Sequence, residues 1–136
     1  MKKTNVIEKL LSSIINSGII FIIAFPLGLY LKFNLYWKLL IIVLFLVLSS
    51  ISLFNKGKRC LGMIVTKTYW KNNYSTRQHV IYNFLYTLSF STLFFWFMFP
   101  FDLFLLNMFL IQLPTILLTK TTLHGFLSGN MVTVKK

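Results

Sequence analysis

Long apolar runs, broken by short clusters of lysine and arginine, leave this chain few folds to choose from. The runs cover residues 10–30, 37–54, 80–99 and 101–119. Each is close to the ~20 residues that a helix needs to cross ~30 Å of hydrocarbon. The reading is an all-α membrane protein with four transmembrane helices in a single domain over 1–136, a cytoplasmic loop at 55–79 and a cytoplasmic tail at 120–136. The last two runs could instead form one span and a re-entrant hairpin. The first run begins like a signal peptide, with Lys2 and Lys3 ahead of it. It is too long for one and shows no small-residue cleavage site, so it reads as a retained helix. Pro26 with Gly28, and Pro114, are expected to bend their helices, and Tyr30 and Trp37 to sit at headgroup level.

The cations set the orientation. The chain carries 14 Lys and Arg against two acids, Glu8 and Asp102, for a formal net charge of +12. Twelve cations fall in the N-terminus, the central loop and the C-terminus, and only Lys32 and Lys38 fall on the other side. The positive-inside rule then puts both termini and the central loop in the cytoplasm. A soluble nucleic-acid-binding protein would spread its cations through polar, structured sequence. Here they cluster between apolar runs, so the expected partner is the lipid bilayer, through anionic headgroups on the cytoplasmic side, and not nucleic acid. Lys56, Lys58 and Arg59 are either plain topological flanks or a contact for lipid or an acidic partner.

Polar residues inside the spans follow helical spacing. Lys9, Ser12, Ser13 and Asn16 share one face of the first; Asn83, Thr87 and Ser91 recur every four residues in the third; Gln112, Thr115 and Thr119 mark the fourth. Facing lipid is costly, so these faces should point inward. They either hydrogen-bond helix to helix or form a shared hydrophilic cavity, with Ser12, Ser13, Asn16, Asn83, Thr87 and Gln112 as the candidate cluster. No carboxylate lies deep in a span, which counts against ion-coupled transport.

Glycines interrupt the chain mainly at Gly57-Lys58-Arg59-Cys60-Leu61-Gly62 and Leu123-His124-Gly125-Phe126-Leu127-Ser128-Gly129. The β-prone stretches that follow, Met63–Thr66 and Met131–Val134, are expected to pair as a short cytoplasmic β-ribbon; the alternative is that both are extended and unpaired. The first glycine stretch is not a phosphate loop, for it lacks the second glycine-lysine spacing and the following Ser or Thr. Two lone histidines, His79 and His124, do not make a metal site. Cys60, the single cysteine, excludes an intrachain disulfide. No catalytic residue, cofactor or metal is assigned, and no enzyme activity is expected.

The chain resembles the RDD family of small bacterial integral membrane proteins over roughly residues 9–134. The resemblance rests on Gly57-Lys58 to Gly62, like the family's GK-x-x-x-G stretch, and on Thr122-Leu123-His124-Gly125-Phe126-Leu127-Ser128-Gly129, like its terminal T-L-H-D-x-x-A-G. Lys9 and Asn16 stand at the seven-residue spacing of the family's first-span Arg and Asp. The name-giving residues are replaced: Lys9 keeps the Arg charge, Asn16 loses the Asp charge, and Gly125 stands where the second Asp would be. The resemblance implies a bacterial cytoplasmic (inner) membrane location and marks Lys9, Asn16, Gly57, Lys58, Gly62, His124, Gly125 and Gly129 as motif positions. Some members are linked to cation/proton exchange. The lost acids fit a structural or partner-binding derivative better. The expectation is a non-enzymatic interaction module: an accessory or regulatory subunit of a membrane complex, or an immunity or resistance factor, with a protein partner or as a homo-oligomer. The alternative is a transporter or channel subunit.

Overall fold

The structure, a computed structural model, describes residues 2–135; Lys136, one of the counted cations, lies outside them. The chain order is β1 (Lys2–Lys3), α1 (Val6–Leu31), α2 (Leu35–Ile51) closed by a 3-10 turn (Ser52–Phe54), α3 (Leu61–Val65), β2 (Thr68–Trp70) and α4 (Thr76–Ser91). Then come α5 (Asp102–Leu106), a π-helical stretch (Asn107–Gln112), α6 (Leu113–Thr119), α7 (Leu123–Leu127) and β3 (Thr133–Lys135). Among the described residues three helices are long and apolar enough to cross a membrane: Val6–Leu31, Leu35–Phe54 and Asp102–Thr119.

The boundaries have local causes. Helix α1 starts four residues before the expected position 10 because Asn5 and Glu8 form a reciprocal capping box. Lys9 therefore belongs to its first turns. Asn34 caps α2 through the Trp37 N–H at 3.2 Å. The expected third span, 80–99, is displaced. Ser75 and Gln78 form a second capping box that starts α4 at Thr76, and the helix closes at Ser91. There the Ser91 and Thr92 hydroxyls turn back to the Leu88 and Ser89 carbonyls, each at 2.6 Å. Beyond it, the buried Asp102 carboxylate accepts backbone N–H groups from Phe97, Met98 and Leu103 at 2.9, 2.6 and 2.7 Å. That holds the 97–102 segment as a turn and not as helix. At 16 residues, α4 is about 24 Å long at ~1.5 Å per residue.

At Pro114, where a bend is expected, the helix widens. The proline has no N–H to give the preceding turn, and the backbone passes through a π stretch just before it.

The packed centre joins α1, α2 and α4 through Ile20, Ala24, Trp37, Ile41, Phe45, Phe90 and Phe94. The four-residue spacings in this set give α1 and α2 one inward stripe each, while Phe90 comes from α4 and Phe94 from the turn after it. Phe45 and Phe90 stack at 4.1 Å. Trp37 is buried here and donates its indole N–H to the Ala24 carbonyl at 2.8 Å. It is therefore a core residue, in contrast to the headgroup anchor expected from its place at the end of a span; Tyr30 is exposed. Gly28 permits this crossing, since a Cβ there would overlap the Phe33 ring and the Trp37 indole.

A three-stranded antiparallel sheet, ordered β1-β3-β2, sits at the end of the bundle where α1 begins. Trp70 pairs with Thr133 and Thr68 with Lys135, while Lys2 pairs with Lys135 from the other side. The expected pairing of Met63–Thr66 with Met131–Val134 is therefore displaced at both strands: the pair that forms is Thr68–Trp70 with Thr133–Lys135, and Met131 and Val132 precede the strand. Met63–Val65 is helical, and the strand begins at Thr68. The cause is tertiary. The Asn16 Oδ1 accepts the Gly62 N–H at 2.7 Å, so α1 supplies the cap that α3's own N-cap residue, Cys60, does not. Thr66 then bonds back to the Gly62 carbonyl, and Lys67 turns the chain at φ +53°. The sheet, α3 and α7 together form a platform that holds both ends of the described chain.

Candidate functional site

The motif positions of three distant segments converge where α1 meets the platform. Lys9, Ser13 and Asn16 come from α1, Gly62 from α3, Tyr82 and Tyr86 from α4, and His124 from α7. Asn16 is the hub. Besides capping Gly62, it directs its Nδ2 at the Cys60 Sγ at 3.2 Å and the Tyr86 hydroxyl at 3.4 Å. Tyr86 in turn donates to Ser13 at 2.9 Å. Lys9 reaches the sheet and donates to Thr133 Oγ1 at 2.8 Å.

His124 is buried, at 6% exposure, stacked on Tyr86 with ring centroids 4.8 Å apart and edge-on to Tyr82 at 4.8 Å. Burial, with the Lys9 charge adding to it, pushes its pKa down to about 3. The ring is therefore neutral at cellular pH, and its Nδ1 has no hydrogen-bond partner. Two glycines make the convergence possible. A Cβ at Gly62 would overlap the backbone carbonyl and hydroxyl of Ser12, and one at Gly125 would overlap Thr121 Oγ1 and crowd the Met131 carbonyl. A cavity of about 40 Å³ lies here, lined among others by Lys9, Ser13, Asn16, Tyr82, Tyr86 and His124.

The other polar residues of the spans go elsewhere. Asn83 donates to the Ser49 carbonyl at 3.0 Å and ties α4 to α2. Thr87 bonds within its own helix to the Asn83 carbonyl at 2.8 Å. Gln112 accepts the Leu123 N–H at 3.1 Å and turns its Nε2 to Asn107 at 3.3 Å, and Asn107 donates to Ser89 at 2.6 Å. Asn107 and Gln112 are five apart, and the π stretch is what aligns them. The candidate cluster is thus divided among separate junctions, with Ser12, Ser13 and Asn16 at one, Asn83 with Thr87 at another, and Gln112 at a third.

The glycine-cation stretch after α2 lies on the platform's outer side. Gly57, at φ +86°, and Lys58, at φ +49°, turn the chain there. A groove of about 490 Å³ is lined by Lys58 and Arg59 and walled by Tyr69, Trp70 and Tyr74. The Arg59 guanidinium stands 4.2 Å over the Tyr69 ring. Trp70 donates to the Lys58 carbonyl at 2.8 Å, while Lys58 Nζ donates to Thr76 Oγ1 at 3.0 Å. No carboxylate lines the groove. Lys56 is exposed and outside its lining. Gly129, at φ +110°, ends α7 against the Gln78 side chain. His79, largely buried, also lines the groove, its ring centroid 5.2 Å from that of Trp70.

Sequence reasoning missed the aromatic half of both sites. Tyr82 and Tyr86 lie four apart on α4, a spacing that marks a shared face. Trp70 and Tyr74 bracket a polar stretch where aromatic residues are otherwise scarce.

Replacing Asn16 with alanine should lower stability by about 1–3 kcal/mol, the range for stranding buried hydrogen-bonding groups. The check is the unfolding midpoint in detergent. A change near zero would mean that α3 does not depend on α1 for its cap.

No protein-family model, no curated protein and no solved structure matches the chain.

Proposed function

We propose that this chain is a non-enzymatic membrane interaction module: an accessory or regulatory subunit of a membrane complex, or an immunity factor, built on the RDD plan in the bacterial inner membrane. It crosses four times with both termini in the cytoplasm. The charge asymmetry of twelve cations against two supports that orientation. The fourth crossing is α4. With the turn after it, α4 reaches the other end of α2, where Phe94 packs on Trp37 and accepts from Lys38 Nζ at 3.0 Å.

The observation that carries the reading is the groove. It has two cations, aromatic walls and no carboxylate, and lies beside the end of α2 that leads into the 55–79 loop. The polar groups between the helices largely bond one another, and the cavity at the α1–platform junction is only about 40 Å³.

The test is extraction of the tagged full chain in mild detergent with quantification of what co-purifies. A stoichiometric membrane protein is expected. The double substitution Lys58→Gln, Arg59→Gln should reduce its recovery about tenfold or more, since a desolvated charged pair at an interface is worth ~2–5 kcal/mol. Recovery of the chain alone would overturn the reading.

One observation favours a transporter or channel subunit. His124 lines both the small cavity and a neighbouring pocket of about 220 Å³ that contains Ser89, Asn107 and Gln112. Polar side chains therefore continue from Lys9 to Gln112. Cation or proton flux in proteoliposomes above empty controls would support this second reading and displace the first.

A further inference from the structure

The groove beside the end of α2 is equipped to give hydrogen bonds to an anion. Lys58 and Arg59 are both half-buried in its lining. The Lys58 ammonium carries three N–H groups and reaches Thr76 Oγ1 at 3.0 Å and the Tyr74 carbonyl at 3.5 Å. Those two bonds hold it at the groove and leave one N–H for a ligand. The Tyr69 ring, 4.2 Å away, covers one face of the Arg59 guanidinium. It does not cover the edge, a planar fork of N–H donors that matches a phosphate. Asn55, Asn72 and Asn73 add amides to the lining, and neither Glu8 nor Asp102 belongs to it.

The position of the groove points to the membrane surface. The apolar helix Leu35–Phe54 ends one residue before the lining begins at Asn55. Gly57 and Lys58, both at positive φ, turn the chain there, so the two cations stay within five residues of the end of the span. Tyrosine and tryptophan favour headgroup depth, and Tyr69, Trp70 and Tyr74 wall the groove. A stripe of exposed apolar side chains leads toward it along α2 and its closing turn: Leu39, Val43, Val47, Ile51 and Phe54. They stand three or four residues apart and so share one face. The last of them adjoins Asn55 of the lining.

We infer that the groove is the headgroup site of an anionic glycerophospholipid, with the phosphate between Lys58 and Arg59 and the acyl chains along the exposed stripe of α2. Its volume of about 490 Å³ is within the ~300–1,000 Å³ of small-ligand sites. An ethanolamine headgroup would bring a third cation into a groove with no carboxylate, so the site selects a headgroup without an amine. The inference rests on the same reading of the groove as the contact face of the module. The lipid covers the two cations in the membrane, and a docking protein takes its place with an acidic group of its own.

The test uses the full chain alone, purified in mild detergent and stripped of lipid. Phosphatidylglycerol and phosphatidylethanolamine with matched acyl chains are titrated in, and bound lipid is counted by native mass spectrometry. One phosphatidylglycerol is expected, held about fivefold tighter or more than phosphatidylethanolamine, the worth of one charge at the membrane surface. Lys58→Gln, Arg59→Gln should weaken it about 25-fold, roughly fivefold per cation. Lys56→Gln, which removes an exposed cation outside the lining, should leave it unchanged. The wild-type preference between the two lipids decides the matter if the double variant fails to fold. Equal binding of the two lipids, binding unchanged in the double variant, or an equal loss in Lys56→Gln, the mark of diffuse surface attraction, would overturn the inference. A phosphatidylglycerol preference with no co-purifying protein would overturn only the docking reading, and a stoichiometric protein partner with no lipid preference only this one.

Discussion

Leucine in place of Gly62 is expected to detach the platform from the bundle. The glycine sits in the first turn of α3, and a Cβ there would run into the Ser12 carbonyl of α1. That atom is backbone inside a 26-residue helix, so it cannot swing aside as a side-chain tip would. Overpacking a close contact costs ~1–3 kcal/mol. Pushing α3 away also breaks the Asn16 bond to the Gly62 N–H, which adds ~1–3 kcal/mol for a stranded partner. The sum, about 2–6 kcal/mol, should appear as a large fall in the unfolding midpoint in detergent and as protease cleavage of the 55–75 loop.

Gly57→Ala is the comparison. Its φ of +86° makes a side chain strained, but the nearest atom to a Cβ is Arg59 Nε at 3.8 Å, so a cost near ~1 kcal/mol is expected. Equal losses at the two sites would mean that the close approach of α1 and α3 is not what requires glycine.

Trp37→Ala should cost about 3–5 kcal/mol, the range for removing a buried aromatic side chain. Trp37 is 8% exposed and lies edge-on to Phe33 and Phe94, with centroids 5.0 and 5.9 Å away. Its removal opens a hole where α1, α2 and the end of α4 meet. Trp37→Phe refills most of that volume and loses only the bond to the Ala24 carbonyl, so a cost near ~1 kcal/mol is expected. Unfolding of both variants under one detergent condition separates the terms. A loss under ~1 kcal/mol for Trp37→Ala would return this residue to the headgroup role that its position suggests.

These two residues also show where sequence reasoning stops. Trp37 stands beside Lys38 at the end of an apolar run, and that is the composition of an interfacial anchor. Whether an indole at such a place faces lipid or a neighbouring helix depends on how the helices cross, and Gly28 on α1 decides that by clearing room for the ring. The early start of α4 was open to reading, since Ser75-Thr76-Arg77-Gln78 is a capping-box sequence. Its end was not. Thr92 to Pro100 is more apolar than the helix before it, so hydropathy carries the helix through, and the turn exists because Asp102 gathers the backbone N–H groups of Phe97, Met98 and Leu103 close to it in the chain. Leu61–Val65 is a similar case. Ile64 and Val65 favour strand locally, but Asn16, 46 positions before Gly62, satisfies the helix start and overrides them.

By itself the sequence determined the apolar helices, the clustering of its cations between the apolar runs and the positions of its glycines and inward polar faces. Those properties follow from hydropathy, charge and a 3.6-residue repeat, each legible within one segment. Only the tertiary structure decided which of those faces meet. It brought Lys9, Asn16 and His124 to one small cavity, sent Asn83 and Gln112 to other junctions, and set Thr68–Trp70 beside the last strand. Hydrogen bonds between distant residues have no sequence period, and the close approach of backbones at Gly62 and Gly125 is a property of two segments at once.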